Sequence, residues 1–255
     1  PLRQPNIRKQ PPSLAMLLRG PSRNKTGETQ AGDIMFNETT KGVFTIAATP
    51  FLPDGALDTQ SLDQMVDFYL ARGATGLTIL GIMGEAGKLT AEESATVIRQ
   101  ICRRADVPVV VGVSSPGFAA IDALSKVAMD EGAAGVMVAP PGALKTDAQI
   151  RTYFRAVGEN LGETPWVLQD FPLVTGVQID PQVILDIIAE APNCVMLKHE
   201  DWPGLEKIST LRRASDAGSR RISILCGNGG QFLLEEMMRG ADGAMTGFSF
   251  PEMMA

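Results

Sequence analysis

The chain has 255 residues, of which 44% are hydrophobic and 20% charged, a balance typical of a globular protein with one large domain or two small ones. Its formal net charge of −6 and sequence pI of about 4.9 argue against nucleic acid and anionic membranes as main partners. Three widely separated cysteines and a single histidine, His199, predict reduced thiols, a cytoplasmic location and no multi-histidine metal site. The sequence contains no apolar run long enough to cross a bilayer.

Residues 1–41 are rich in Pro, Arg, Lys, Asn, Gln and Gly and have weak periodicity, which predicts a disordered or loosely attached N-terminal arm. After this arm, short apolar strands alternate with helical segments. The predicted strands are 43–48, 77–80, 108–112, 135–139, 166–168, 195–197, 222–225 and 243–246. The predicted helices are 61–70, 90–104 with a capping box at its start, 118–131, 147–161 capped by Asp147, one beginning at Asp180-Pro181, 205–214 and 232–238.

This alternation is the sequence form of repeated strand–helix–strand units around a parallel sheet. About eight strands predict a (β/α)8 TIM barrel over residues 42–255, and we prefer it to an open doubly wound sheet because polar residues follow many of the strands. Seven helices follow the strands before the sequence stops. We therefore expect a barrel that lacks its final helix and a C-terminal helical region, with that helix absent or reduced to residues 251–254.

Lys198 ends the apolar run 194–198 and is the most informative residue of the chain. Burial at the end of a strand lowers the pKa of a lysine, and a neutral amine can attack a carbonyl carbon to form a Schiff base. Two alternatives remain open from the residue alone: Lys198 snorkels to solvent, or it pairs with Glu200. His199 should point away from Lys198, outward at the strand end.

Other strand ends carry weaker signals. The glycines in the segment 81–85 let backbone amides turn toward a carboxylate, although they also suit a tight turn without a ligand. The glycine-rich segment 227–230 is either an anion loop or a sharp turn. Strand alternation directs only one of Gln169 and Asp170 into the barrel mouth, where Asp170 would be a general base; otherwise Asp170 caps the following turn.

Over residues 42–247 the chain resembles the dihydrodipicolinate synthase and N-acetylneuraminate lyase family. The matching motifs are Thr49-Pro50-Phe51, Gly81-Ile82-Met83-Gly84-Glu85, Leu89-Thr90 with Glu92-Glu93, Val138-Ala139-Pro140-Pro141, Phe171-Pro172 with Thr175-Gly176, Lys198, and Gly240-Ala241-Asp242-Gly243. The resemblance implies a barrel in which Lys198 forms a Schiff base with pyruvate or another 2-oxo acid, without metal or other cofactor. It also implies a homo-oligomer, a dimer or a tetramer.

The chain departs from the family pattern at three places. The phenolic tyrosine of the family aligns with Gln169, its hydroxyl pair with Ile82-Met83, and an arginine for the second substrate falls near Val174. The resemblance therefore implies a lyase or aldolase, or a related dehydratase or synthase, with an altered carbonyl substrate. Alternatives are a non-catalytic small-molecule binder and a phosphate-handling barrel enzyme. The implied catalytic residues are Lys198, Gln169 and Asp170, and the implied substrate contacts are Thr49, Gly81, Ile82, Met83, Gly84, Glu85, Glu200, Gly227 and Met245.

Overall fold

The strands form a closed parallel barrel. A computed structural model describes residues 36–248, and these contain eight strands that pair in chain order until the eighth returns to the first. The closing pair places Gly42 opposite Gly243. The predicted (β/α)8 barrel is confirmed, and the open sheet is wrong. The strands are β1 (Gly42–Ile46), β2 (Gly76–Ile79), β3 (Val109–Gly112), β4 (Gly135–Val138), β5 (Trp166–Asp170), β6 (Cys194–His199), β7 (Ser223–Cys226) and β8 (Gly243–Thr246).

Helices surround this barrel. The seven predicted helices are all present within residues 36–248, together with a one-turn helix that was not predicted. They are α1 (Thr59–Ala71), α2 (Ala91–Arg104), α3 (Phe118–Asp130), α4 (Asp147–Leu161), the one-turn α5 (Pro172–Thr175), α6 (Pro181–Glu190), α7 (Leu205–Asp216) and α8 (Leu233–Met238). No helix of this described part is both long and apolar enough to span a membrane. The predicted loss of a final helix concerns residues 249–255, which lie outside the described range.

Helix starts follow the capping rules. Thr90 and Glu93 form the predicted capping box of α2, with the Thr90 side chain accepting from the Glu93 amide. The predicted cap of α4 is wrong by one residue. Thr146 caps it and forms a second capping box with Gln149, which leaves Asp147 as the first helical residue. An acidic residue is favourable there because the amino end of a helix carries partial positive charge.

Side chains alternate across each strand, which gives the molecule two apolar layers. The inner layer fills the barrel, and its members include Phe44, Ile46, Val110, Met137, Val167, Met196, Leu225 and Met245. Their strand neighbours Leu168, Leu197 and Ile224 belong to the outer cluster, which includes buried side chains of the helices. The same alternation directs Gln169 and Lys198 into the barrel and Asp170 and His199 toward the helices.

Residues 36–41 close the amino-terminal end of the barrel. Phe36 is buried and its ring centroid lies 6.4 Å from that of Phe44. The Arg220 guanidinium donates to Glu38 at 3.0 Å, and the Ser223 hydroxyl donates to the Thr40 carbonyl at 2.7 Å. This packing differs from the prediction of a loosely attached arm up to residue 41. The rest of the predicted arm, residues 1–35, lies outside the described residues.

Candidate active site

The amine of Lys198 lies inside the barrel near the carboxyl end of β6. Lys198 is 3% exposed, and its Nζ lies 3.0 Å from Glu200 Oε2. Burial lowers the pKa of Lys198, and the nearby Glu200 carboxylate partly offsets this effect. The alternative in which Lys198 reaches solvent is therefore wrong. Pairing with Glu200, the other alternative, is observed, so the amine is both desolvated and close to a proton acceptor.

Gln169 holds the same carboxylate from the neighbouring strand. β5 and β6 pair with Gln169 opposite Lys198, and the Gln169 Nε2 donates to Glu200 Oε2 at 2.7 Å. One oxygen of Glu200 therefore contacts both side chains. Both Gln169 and Glu200 are buried. Because an amide cannot release a proton at neutral pH, Gln169 can orient Glu200 but cannot relay a proton.

Gly227, directly after β7, makes room for Glu200. A Cβ atom at Gly227 would lie 2.4 Å from Glu200 Cγ, a distance that no side chain could accommodate without movement. Two amides of this segment are also occupied. Gly227 N donates to the His199 carbonyl at 2.9 Å, and Gly230 N donates to the Gly227 carbonyl at 2.9 Å. These bonds and the positive φ angles of residues 228–230 show the sharp turn.

Asp170 lies on the opposite side of the sheet from Lys198. Its Oδ2 lies 2.6 Å from Lys207 Nζ of α7. Burial raises the pKa of Asp170 to about 6, against the opposing effect of Lys207. This position contradicts the predicted role of Asp170 as a general base beside Lys198, since the sheet separates the two groups.

His199 also faces the helices. The prediction of an outward direction holds, but the residue is completely buried and not at an open strand end. Burial, and secondly the charge of Lys207, lower the pKa of His199 to about 4. His199 is therefore neutral at physiological pH, and its place behind the sheet excludes it as a proton shuttle at Lys198.

A cleft of about 520 Å³ is lined by the loop after β2 and by Gln169, whereas Lys198 and Glu200 are not among its lining residues. Leu80 begins that loop in the left-handed region, with a φ of 52°, a strained conformation for a bulky residue and one found more often at functional sites. The cleft is lined largely by apolar side chains, and the Lys88–Glu85 ion pair lies on its wall. The lining includes Leu80, Gly81, Ile82, Glu85, Lys88, Ser114, Leu124, Met137 and Gln169.

The other predicted substrate contacts that can be placed, Thr49, Met83 and Met245, lie in different parts of the site. Thr49 donates its hydroxyl to the Gly84 carbonyl at 2.6 Å and so fixes the loop after β2. The Met83 side chain lies against Gly247, directly after β8, as a Cβ atom built on Gly247 would lie 2.1 Å from the Met83 sulfur. Met245 is completely buried in the inner apolar cluster, where it provides packing and not an open contact.

Sequence reasoning missed Lys207. This lysine lies in the first turn of α7, where the helix dipole disfavours a cation. It is nevertheless buried, with Asp170 at 2.6 Å and Asp201 at 2.8 Å from its Nζ. A lysine at this unfavourable helix position was therefore a sequence signal that acidic side chains lie nearby. No group of three His, Cys, Asp or Glu within residues 36–248 is arranged to hold a metal ion.

Residues 39–250 match the model of the dihydrodipicolinate synthetase family. The chain belongs to this family. The membership that the motifs predicted is confirmed, and so is the predicted enzyme class, a lyase of the dihydrodipicolinate synthase type. The residue roles within the site stay predictions.

Proteins similar to this chain include named enzymes and solved structures. It is 34% identical over 209 residues to the 4-hydroxy-tetrahydrodipicolinate synthase of Sorangium cellulosum, a match that covers 80% of this chain and 67% of the relative. It is 54% identical to a dihydrodipicolinate synthase of Rhodopseudomonas palustris, with a TM-score of 0.84 over 87% of this chain and 74% of that one. YagE of E. coli K12, solved in complex with pyruvate, is 26% identical with a TM-score of 0.73 and coverages of 81% and 69%.

Proposed function

We propose that this member of the dihydrodipicolinate synthetase family is a Schiff-base-forming lyase or aldolase that acts on pyruvate or a substituted 2-oxo acid through Lys198. The observation that carries the proposal is the buried amine 3.0 Å from Glu200 Oε2. A desolvated lysine beside a carboxylate can lose its proton and attack a ketone. The pyruvate complex of the related YagE supports the choice of substrate class.

In the first step, the 2-oxo acid binds with its carboxylate toward the backbone of residues 81–84, which Thr49 holds in place. Glu200 accepts a proton from the Lys198 ammonium, and the free amine attacks C2 of the ketone. The C2 oxygen then takes up two protons and leaves as water. The product is an iminium between Lys198 and the substrate, an electron sink next to C3.

In the second step, the C3–C4 bond of a 4-hydroxy-2-oxo acid breaks. Its electron pair moves toward the iminium to give an enamine, the 4-hydroxyl loses its proton, and an aldehyde leaves. Protonation at C3 and addition of water then release pyruvate and restore Lys198. Glu200 is the acid in direct contact with the amine, and a positioned proton donor or acceptor of this kind contributes about 10²–10⁴-fold to the rate.

The cleft lining supports a neutral and apolar group on the aldehyde part of the substrate. Leu80, Ile82 and Met137 give it apolar walls, and Lys88 forms an ion pair with Glu85. A second carboxylate would therefore compete with Glu85 for that lysine. An alkyl or aryl group would instead remove apolar surface from water, which is worth about 25 cal/mol for each Å².

Borohydride trapping tests this function. Reduction in the presence of pyruvate should add the mass of one reduced pyruvate to the peptide that contains Lys198, and Lys198→Met should abolish the addition. Absence of an adduct with every member of a panel of 2-oxo acids would overturn the proposal. An adduct without release of any product from 4-hydroxy-2-oxo acids would instead support the non-catalytic binder.

We further propose that the enzyme acts in the cytoplasm as a dimer or tetramer. The location is supported by the three cysteines, which are all unpaired thiols, with Cys194 and Cys226 buried. Measurement of the molecular mass in solution by light scattering tests the oligomeric state, and a monomer at micromolar concentration would contradict it.

A further inference from the structure

A second buried polar cluster lies directly behind Lys198, on the helix-facing side of β5 and β6. The Lys207 amine contacts Asp170 at 2.6 Å and Asp201 at 2.8 Å. His199 Nδ1 lies 3.9 Å from Asp170 Oδ2. Asp170, His199 and Lys207 are all buried. None of these four residues takes part in the proposed chemistry, yet the burial of Asp170, His199 and Lys207 as charged or polar groups is energetically expensive.

The cluster surrounds the short segment that carries Glu200. Glu200 N donates to the Asp170 carbonyl at 2.8 Å, and Gly227 N donates to the His199 carbonyl at 2.9 Å. The Asn228 side chain donates to the Asp201 carbonyl at 3.2 Å. The Lys207 side chain connects β5 to this segment, since its amine contacts Asp170 on β5 and Asp201, which directly follows Glu200 in the chain.

We propose that Lys207 is a positioning residue whose two ion pairs hold residues 199–201 so that Glu200 stays in contact with the amine of Lys198. Loss of Lys207 removes both contacts that join Asp170 on β5 to Asp201. Asp201 is then free to move, and Glu200 as its chain neighbour moves with it. The role of Lys207 is thus exerted through Glu200 and not through contact with the substrate.

Two effects of a Lys207 substitution on Lys198 have opposite signs. If Lys207 acts only through its charge, its removal takes away a nearby cation and raises the pKa of Lys198. If Lys207 positions Glu200, its removal weakens the Glu200 contact and lowers the pKa of Lys198, because that contact raises it. The groups around the amine are Gln169 and Glu200 inside the barrel, with Asp170, His199, Asp201 and Lys207 behind the sheet.

The pH dependence of Lys198 acetylation by acetic anhydride, read by peptide mass spectrometry, measures this pKa without any turnover. Lys207→Met should move the midpoint to lower pH by about half a unit, an approximately threefold rise in reactive amine below both midpoints. Glu200→Gln should move it in the same direction. The double variant should shift no further than Glu200→Gln alone, because the two residues act in series.

Two further variants make the test decisive. Arg212→Met, on the same helix α7, removes one of the two ion pairs of the buried Asp242 and should leave the midpoint unchanged. The double variant Lys207→Met with Asp170→Asn conserves net charge and avoids one unpaired buried acid. It can therefore be measured if Lys207→Met alone does not fold, and it should still lower the midpoint of Lys198 acetylation. An upward shift, no shift, or additivity with Glu200→Gln would overturn the proposal. The role of Lys207 rests on the proposed function, because positioning Glu200 matters only if Lys198 is the nucleophile. Failure to trap pyruvate would refute that function, whereas the acetylation midpoints test the role of Lys207 separately.

Discussion

Glu200 Oε2 lies 3.0 Å from Lys198 Nζ, and the two side chains are only 7% and 4% exposed. Charged groups in such surroundings lose their hydration, and this burial lowers the pKa of Lys198, so the neutral amine is easier to form. In the proposed function, proton transfer between these two atoms prepares the nucleophile without bulk water. We therefore expect the geometry of this contact to control the reactivity of Lys198.

Replacement of Lys198 by methionine should abolish adduct formation with pyruvate and reduce turnover by roughly 10³-fold or more, because no other amine lies inside the described barrel end. Mass spectrometry after borohydride reduction and a steady-state assay measure the two effects. Lys88→Met, at the cleft wall, serves as the matched lysine control and should keep the adduct. An adduct retained in Lys198→Met would show that another residue is the nucleophile.

Gln169→Ala should slow the reaction less than Lys198→Met, by about 10–100-fold. The substitution removes the 2.7 Å hydrogen bond that fixes Glu200, yet both Glu200 and the nucleophile remain. The rate of trapped adduct formation at several pyruvate concentrations measures it. Gln169→Glu offers a second comparison, since a further acid at this place adds repulsion with Glu200. Equal losses in Gln169→Ala and Lys198→Met would contradict this ordering.

Gly227→Ala should displace Glu200, because the added Cβ would lie 2.4 Å from Glu200 Cγ. Overpacking of this kind lowers the free energy of unfolding by about 1–3 kcal/mol. We expect slower adduct formation together with a lower midpoint of urea unfolding. Gly117→Ala is the control, because nothing lies within 4 Å of its new Cβ. A Gly227→Ala protein with normal kinetics would show that Glu200 need not occupy its present position.

The sequence predicted the barrel because period-two and helical patterns depend on local residue order, and all eight strands lie within a few residues of their predicted places. The position of Lys198 followed from the same local pattern. The function of Asp170 did not, because strand alternation allows two directions and the deciding partner, Lys207, is 37 residues away. The exact register of a distant helix is a property of packing that no local motif encodes.

Ile82→Arg should change the charge preference of the cleft. The wild-type enzyme should cleave a 4-hydroxy-2-oxo acid with a neutral alkyl end about tenfold better, in kcat/KM, than one with a terminal carboxylate. Ile82 lines the cleft and is 50% exposed, so an arginine fits there and supplies a free cation that should reduce or invert this ratio. Ile82→Leu is the control and should keep it. A wild-type preference for the dicarboxylate would contradict the proposed apolar substituent.

Glu236→Gln should stabilise the fold selectively at alkaline pH. Glu236 is buried on α8 beside Cys226, and burial raises its pKa to about 7. The folded state therefore binds this proton more tightly than the unfolded state. The resulting stability is fully present below pH 4.5, the ordinary pKa of the group, and is lost as the pH rises through about 7.

A neutral glutamine removes that loss, so the Tm difference between Glu236→Gln and the wild type should be about 2–4 °C more favourable at pH 8 than at pH 5. Calorimetry at the two pH values measures this difference. Glu235→Gln, the exposed neighbour on the same helix, removes only a smaller contribution to the raised pKa of Glu236 and should change this difference much less. Equal behaviour of the two variants would mean that Glu236 is charged in the folded protein at both pH values, because the predicted change arises only when the folded state holds this proton more tightly than the unfolded state.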